Sequence, residues 1–388
     1  NSMEMLTMGL ASFALLLGRS DLMLFVLFLI ALQATLFSPA KYGVLPEMLP
    51  DKDLSRANGL LEMSTFFAII LGTSIGSVMF TVWKDHLVWI GLILTVLAVF
   101  GFLASFAIAK VPTPTTRQPF RINPWGEITI GIRRLYQDRP LWLTVVGMVY
   151  FWFLGALFQM AILLFGKEVM GLDSLWTGLL VTALALGIGI GSLAAGRLSG
   201  DKVELGLVPL GAAGMGVFSL LLVAVSASYT GAMIALFFLG FSAGLFIVPL
   251  NAFLQQRSGH EEKGRLIAAS NFLTMGGVLA ASAVLWIFRD ILQFPIDRII
   301  LIFGFFTLAV IPYVMWLLPD FLIRFVLWML THTIYKIRII GQENIPSRGG
   351  ALLVCNHISH VDGLLISSCI QRFIRFLIYR PYYEMKGL

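Results

Sequence analysis

Apolar residues run along this chain in blocks long enough to cross a bilayer, with polar residues gathered between them. A spanning helix needs about 20 mainly apolar residues. Ten blocks meet or approach that length: residues 4–18, 22–38, 60–83, 87–109, 141–165, 177–196, 205–226, 231–250, 266–288 and 299–318, the first of them short. The pattern predicts an all-α polytopic membrane protein. The chain opens inside an apolar region, at Asn1-Ser2-Met3, with neither a basic start nor a small-residue cleavage site. Further residues are expected ahead of it.

After residue 318 the pattern changes. Residues 320–335 mix Asp320, Arg324 and His332 with Phe, Leu, Ile and Trp, which suits a helix lying in the plane of the membrane interface. Two short β-like runs, 335–340 and 351–355, flank the turn-forming stretch Gly341 to Gly350. Alternating strand and helix predict a partial C-terminal α/β domain. The expected organisation is a partial N-terminal bundle of four spans (1–109), a cytoplasmic central loop (110–140), a six-helix bundle (141–318), and an interfacial helix leading into the α/β domain (319–388).

Composition removes several classes. Of the 388 residues 58% are hydrophobic and 12% charged, and the mean hydropathy is +0.89; a soluble domain carries about 25% charged residues. Soluble enzymes and disordered or fibrous chains are excluded. The net charge of +6 invites a nucleic-acid partner, but its distribution reads as membrane topology. Loops 39–59, 110–140, 197–204 and 257–265 hold 14 Lys and Arg, whereas the alternate set holds 5. Because basic residues collect on the cytoplasmic side, the first set faces the cytoplasm, and by parity so does everything after residue 318. No nucleic acid is expected. Cys355 and Cys369 fall on that reducing side, so no disulfide is expected.

Few polar side chains lie within the spans, where a charge at the helix centre costs about 2.5 to 3.5 kcal/mol. They are Glu62, Tyr150, Gln159, Asn251, Gln255, Gln256 and Asn271. For most, an interhelical hydrogen bond is the plain reading. Glu62, near Lys41 and Arg56, is the exception, expected to form a charge latch that breaks on opening. Lys41, Glu62, Gln159 and Asn251 are the candidate substrate contacts. Three GxxxG spacings, Gly72 to Gly76, Gly187 to Gly191 and Gly240 to Gly244, predict close helix packing. An ion or a sugar would require a more polar site. A molecule with an acyl tail fits better, and no metal or bound cofactor is expected.

Specific strings add to this. Phe37-Ser38-Pro39-Ala40-Lys41-Tyr42-Gly43, Arg56-Ala57-Asn58-Gly59-Leu60-Leu61-Glu62, and Val248 through Arg257 closely resemble the bacterial lysophospholipid transporter family of the major facilitator superfamily. Gly196 to Lys202 resembles a cytoplasmic loop of that superfamily. A long cytoplasmic loop followed by six helices matches its half-repeat, so about ten of twelve helices are expected here. The resemblance implies movement of lysophospholipid, chiefly lysophosphatidylethanolamine, to the inner leaflet of a bacterial inner membrane. An exporter of drugs or metabolites is the rival reading.

In the tail, Asn356-His357-Ile358-Ser359-His360-Val361-Asp362-Gly363 follows the second β-like run. Residues five apart on one helix are separated by about 140°, so a turn must lie between His357 and Asp362 if they are to meet. Asp362 could then orient the imidazole as a general base. Ser359-x-x-Asp362 before an apolar run is equally a helix-capping signature, and spacing alone favours capping. The string and the preceding Gly349 to Asn356 resemble the H-x-x-x-x-D motif of glycerolipid acyltransferases of the 1-acylglycerol-3-phosphate type. That implies catalytic roles for His357 and Asp362, with an acyl thioester of acyl carrier protein or coenzyme A as donor, and leaves His360 a wall or surface residue. The family's later motifs are not in this stretch. The whole resembles bifunctional acylglycerophosphoethanolamine acyltransferase and acyl-ACP synthetase proteins; a membrane-anchored acyltransferase without transport is the other alternative.

Overall fold

The computed structural model describes residues 2–83, 86–108, 124–200, 203–259 and 262–317, and beyond these only short stretches, of which 350–356 and 361–370 are the longest. Each of the ten apolar blocks is a helix: α1 (Ser2–Leu17), α2 (Ser20–Gly43), α4 (Leu54–Val82), α5 (Leu87–Ser105), α7 (Arg139–Leu164), α8 (Ser174–Leu198), α9 (Leu207–Ala224), α10 (Tyr229–Arg257), α11 (Lys263–Trp286) and α12 (Ile296–Leu317). A single turn, α3 (Leu45–Met48), follows α2. Eight of the described helices are long and apolar enough to cross a membrane, and α1 is a shorter apolar helix. The protein is a multi-pass membrane protein.

Local chemistry sets the helix ends. Asp138, Asp173 and Ser228 accept hydrogen bonds from the amides of Leu141 (3.3 Å), Trp176 (2.9 Å) and Gly231 (3.1 Å), capping α7, α8 and α10. Helices α7 and α11 both finish in a π-helical turn, Phe165–Val169 and Ile287–Ile291. Arg289 Nη2 and Glu168 Oε1, 2.6 Å apart, tie these two ends together.

From α7 onward the helices enclose one apolar cluster, in which Leu154, Leu157, Ile162, Leu180, Leu236 and Ile299 are fully buried. Its central member is α10, packed against α8 along a glycine seam. A Cβ added at Gly187 would stand 2.0 Å from the Phe237 carbonyl oxygen, and one at Gly240 2.1 Å from that of Leu184. Only glycine permits this approach. Around Gly72 and Gly76, by contrast, nothing lies within 4 Å, so that third spacing packs no described helix.

Helices α1, α2, α4 and α5 form a second group. Ser12 and Thr95 share a 2.7 Å hydrogen bond between α1 and α5. The group meets the first along α4 and α8, where a Cβ at Gly59 would come within 2.5 Å of the Ser192 carbonyl oxygen and one at Gly196 within 3.0 Å of that of Ser55.

Residues 124–137, assigned to the central loop on sequence, form a helix, α6 (Pro124–Gln137). Ile128, Ile132 and Leu135 recur at helical spacing, and Leu135 is fully buried. Arg265 Nε to Glu127 Oε2 (2.7 Å) and Arg134 Nε to Glu262 Oε1 (3.3 Å) fasten α6 to the start of α11. Arg134, expected in a solvated connector, is part of that fastening.

The predicted strand at 351–355 is not one: these residues are irregular, with Leu352 81% and Val354 82% exposed. A strand exists through its partner's hydrogen bonds, and no described residue pairs with this run. The interfacial helix at 320–335 and the strand at 335–340 fall largely outside the described residues. Helix α13 (Asp362–Cys369) begins at Asp362, whose amide donates to the Ser359 carbonyl oxygen at 3.0 Å.

Candidate functional site

Two i, i+4 pairs face each other across the two groups of helices. Asn58 and Glu62 share one face of α4, and Asn251 and Gln255 one face of α10. Asn58 and Gln255 side chains exchange amide hydrogen bonds in both directions, at 2.6 and 3.1 Å. Glu62 Oε1 accepts from the Tyr42 hydroxyl at 2.9 Å and from Asn251 Nδ2 at 3.1 Å. Gln255 Nε2 also donates to the Tyr42 carbonyl oxygen, at 3.1 Å. Asn271 Nδ2 donates to Ser38 Oγ at 3.0 Å, joining α11 to α2. Burial is close to complete: Asn58 is 0%, Gln255 1% and Glu62 2% exposed.

This arrangement replaces the expected charge latch. Among the described residues no ion pair joins Glu62 to Lys41 or Arg56: Lys41 donates to Thr65 Oγ1 at 2.8 Å and lies over the Tyr42 ring, while Arg56 is exposed. The carboxylate is held by neutral donors, which satisfy it at less desolvation cost than a buried ammonium. Gln159 is exposed on α7 and does not join the cluster. Of the four transport candidates the structure therefore brings together Glu62 and Asn251, sets Lys41 beside them, and leaves Gln159 apart.

All these bridges lie at the end that the Lys and Arg distribution assigns to the cytoplasm. Toward the other end of α4, Ile75, Val78 and Val82 are 53%, 62% and 65% exposed. The described form is thus fastened across this end by hydrogen bonds that water could replace.

In the tail, Asp362 Oδ2 accepts from the amides of Ile358 (2.7 Å) and Ser359 (2.8 Å), and the Asp362 amide donates to the Ser359 carbonyl oxygen (3.0 Å). The carboxylate folds back over the two residues that follow His357 in the chain. His357 and His360 lie outside the described residues. Ser359 Oγ meets the Val361 amide only at 3.5 Å, so the acid, more than the serine, organises this turn.

The family model of the Major Facilitator Superfamily matches residues 3–284. The chain belongs to the Major Facilitator Superfamily. Among its curated relatives, the lysophospholipid transporter LplT of Klebsiella pneumoniae subsp. pneumoniae is 32% identical over 248 residues, covering 63% of this chain and 61% of that protein. The LplT of Yersinia pestis is 31% identical over 247 residues, covering 63% and 59%. The chain thus spans about three fifths of the length of these relatives. A second family model, Acyltransferase, matches residues 336–387.

Helices α7 to α12 are six in number, as many as one half of a superfamily member holds. Tyr42 and Asn58 were not singled out on sequence, although both lie within the quoted strings. The signal was available: Asn58 stands four residues before Glu62, and Asn251 four before Gln255, so each pair had to share a face.

Proposed function

We propose that the protein carries lysophospholipid to the cytoplasmic leaflet of a bacterial inner membrane, where its own tail restores the missing acyl chain. One observation carries this reading: a membrane part similar to lysophospholipid transporters and a tail matched by an acyltransferase model occur in one chain. Lysophosphatidylethanolamine is the favoured substrate, and an acyl thioester of acyl carrier protein or coenzyme A the donor.

Apolar helix faces accommodate the single tail, while the headgroup traverses a corridor closed at the cytoplasmic end by Tyr42, Asn58, Glu62, Asn251 and Gln255. Interhelical hydrogen bonds of this type average only about 0.6 kcal/mol, so the closure is readily exchanged for hydration. In the tail, His357 takes the proton of the lysolipid's free hydroxyl as its oxygen attacks the thioester carbonyl. The carbon–sulfur bond breaks and the thiolate leaves, accepting a proton in turn. Asp362, whose carboxylate accepts from the Ile358 and Ser359 amides, orients the imidazole in this reading. General-base assistance contributes about 10² to 10⁴ in rate. Tethering two sites on one chain gives an effective concentration in the mM range when the linker is short.

Proteoliposomes holding the full gene product in one orientation test this. Labelled lysophosphatidylethanolamine presented on the face opposite the tail should become diacylated when donor is supplied to the tail side. His357→Ala should abolish acylation and leave lysolipid movement intact. Acylation confined to lysolipid added on the tail side would leave an anchored acyltransferase and sink the transport reading.

A further inference from the structure

Beside the polar closure, at the same end of the bundle, is a cavity of about 460 Å³ that no step above uses. The end of α2 (Pro39, Gly43), the turn after it (Val44, Glu47) and the first residues of α11 (Lys263, Gly264) form its wall. Its size falls in the range of small-molecule sites, about 300 to 1,000 Å³.

Lys263 sets its chemistry. The side chain is only 5% exposed, yet among the described residues it makes no hydrogen bond or ion pair. The carboxylates of Asp51 and Glu47 act on it electrostatically without reaching ion-pair distance. The residue's stem is covered while its ammonium reaches the open space, so an anion entering the cavity would meet an unpaired cation. The first turn of α11 adds amides that no carbonyl of that helix can satisfy, at the positive end of its dipole. Nothing lies within 4 Å of a Cβ built at Gly264, so the open space reaches this backbone. Glu47, on the wall formed by α3, brings a negative charge to the same cavity.

The geometry points to a binding site for a zwitterionic phosphodiester headgroup, its phosphate on Lys263 and the α11 amides and its ammonium on Glu47. The site rests on the lysophospholipid reading and deepens it: this is where the headgroup docks at the inner surface after passage. The same chemistry belongs to a free glycerophosphodiester, but the position at the membrane face assigns it to a lipid. The Lys263 contact selects for phosphate, and the Glu47 contact selects for an amine.

The test measures Kd for short-chain lysophosphatidylethanolamine, lysophosphatidylglycerol and soluble glycerophosphoethanolamine, with the whole chain in nanodiscs. Lys263→Met should raise Kd for both lysolipids at least tenfold, as loss of a charge-assisted contact does. Glu47→Gln should raise it severalfold for the ethanolamine lysolipid alone. Gly264→Leu, which fills the cavity and keeps the lysine, should weaken both, with an unchanged melting temperature showing that the variants fold. Wild-type affinity in Lys263→Met and Gly264→Leu would overturn the site while leaving transport standing. Failure of the wild type to bind any lysolipid would overturn site and transport together. Glycerophosphoethanolamine binding as tightly as the lysolipid would overturn the assignment to a lipid.

Discussion

Helices α7 to α12 enclose an apolar cluster running to Phe303, whereas α1, α2, α4 and α5 bury few apolar side chains and meet the rest through glycines, amides and one carboxylate. Within a bilayer the apolar packing of the first group gains little from leaving lipid, since lipid tails are equally apolar. Its cohesion comes from close contact summed over long helices, including the α8 and α10 glycine seam. The second group meets the first along α4 and α8, with Gly59 and Gly196 in close approach, and beside that seam through hydrogen bonds among Tyr42, Asn58, Glu62, Asn251 and Gln255 that water can take over. The transport proposed above needs one joint that holds and one that yields. The difference between the two interfaces assigns those roles.

The largest effect is expected where the holding joint is tightest. Gly240→Leu forces a side chain into the Leu184 carbonyl, a backbone contact with no flexible end to move aside. Overpacking usually costs about 1 to 3 kcal/mol, and a clash with backbone should reach or exceed the upper figure. The purified variant should lose several degrees or more of melting temperature or fail to elute as a single species. Gly76→Leu, with nothing within 4 Å, should behave as wild type. Equal behaviour of the two would show that the seam holds nothing.

At the yielding joint the expected effect is intermediate and of a different kind. Glu62→Ala leaves the Tyr42 hydroxyl and the Asn251 amide without their shared acceptor. A buried polar group deprived of its partner costs about 1 to 3 kcal/mol, and opening relieves that cost by admitting water. Hydrogen exchange should therefore quicken over residues 248–257 and stay slow over residues 235–247 of the same helix. Uniform quickening along α10 would mean that Glu62 stabilises the whole bundle rather than one end of it.

These joints differed in how far the sequence disclosed them. Ten apolar blocks gave ten helices because the bilayer imposes a length that composition alone reveals. The GxxxG spacing was the same at three places, yet Gly187 to Gly191 and Gly240 to Gly244 pack one another while Gly72 to Gly76 packs nothing described. A pair's partner lies in three dimensions, outside any local pattern. Glu62 was singled out on sequence, but charge suggested Lys41 and Arg56 as its partners, where burial selected the neutral Tyr42 and Asn251. Helix α6 was hidden by its arginines, whose charge suggested a solvated loop although Ile128, Ile132 and Leu135 kept helical period. In the tail, Asp362 accepts from the Ile358 and Ser359 amides, while His357, its expected partner, lies outside the described residues. The β-like run before it carried strand composition without a described strand to pair with.

The smallest expected effect completes the contrast. Arg257, at the end of α10, pairs with Asp138 at 2.9 Å, and the two side chains are 44% and 31% exposed. An exposed pair of this type contributes about 0 to 1 kcal/mol, and salt screens it over about 8 Å at physiological ionic strength. Arg257→Gln should shift the melting temperature by a degree or so at low salt and not measurably at 0.5 M salt. Asp138→Ala should do more, because the same carboxylate caps α7 at Leu141, and a lost cap costs about 0.5 to 2 kcal/mol whatever the salt. Charges at the rim of the holding half would then matter less than three amides and a carboxylate buried in the joint that yields. If Arg257→Gln instead loosened residues 248–257 more than Glu62→Ala does, the fastening would be ionic and would belong to the rim.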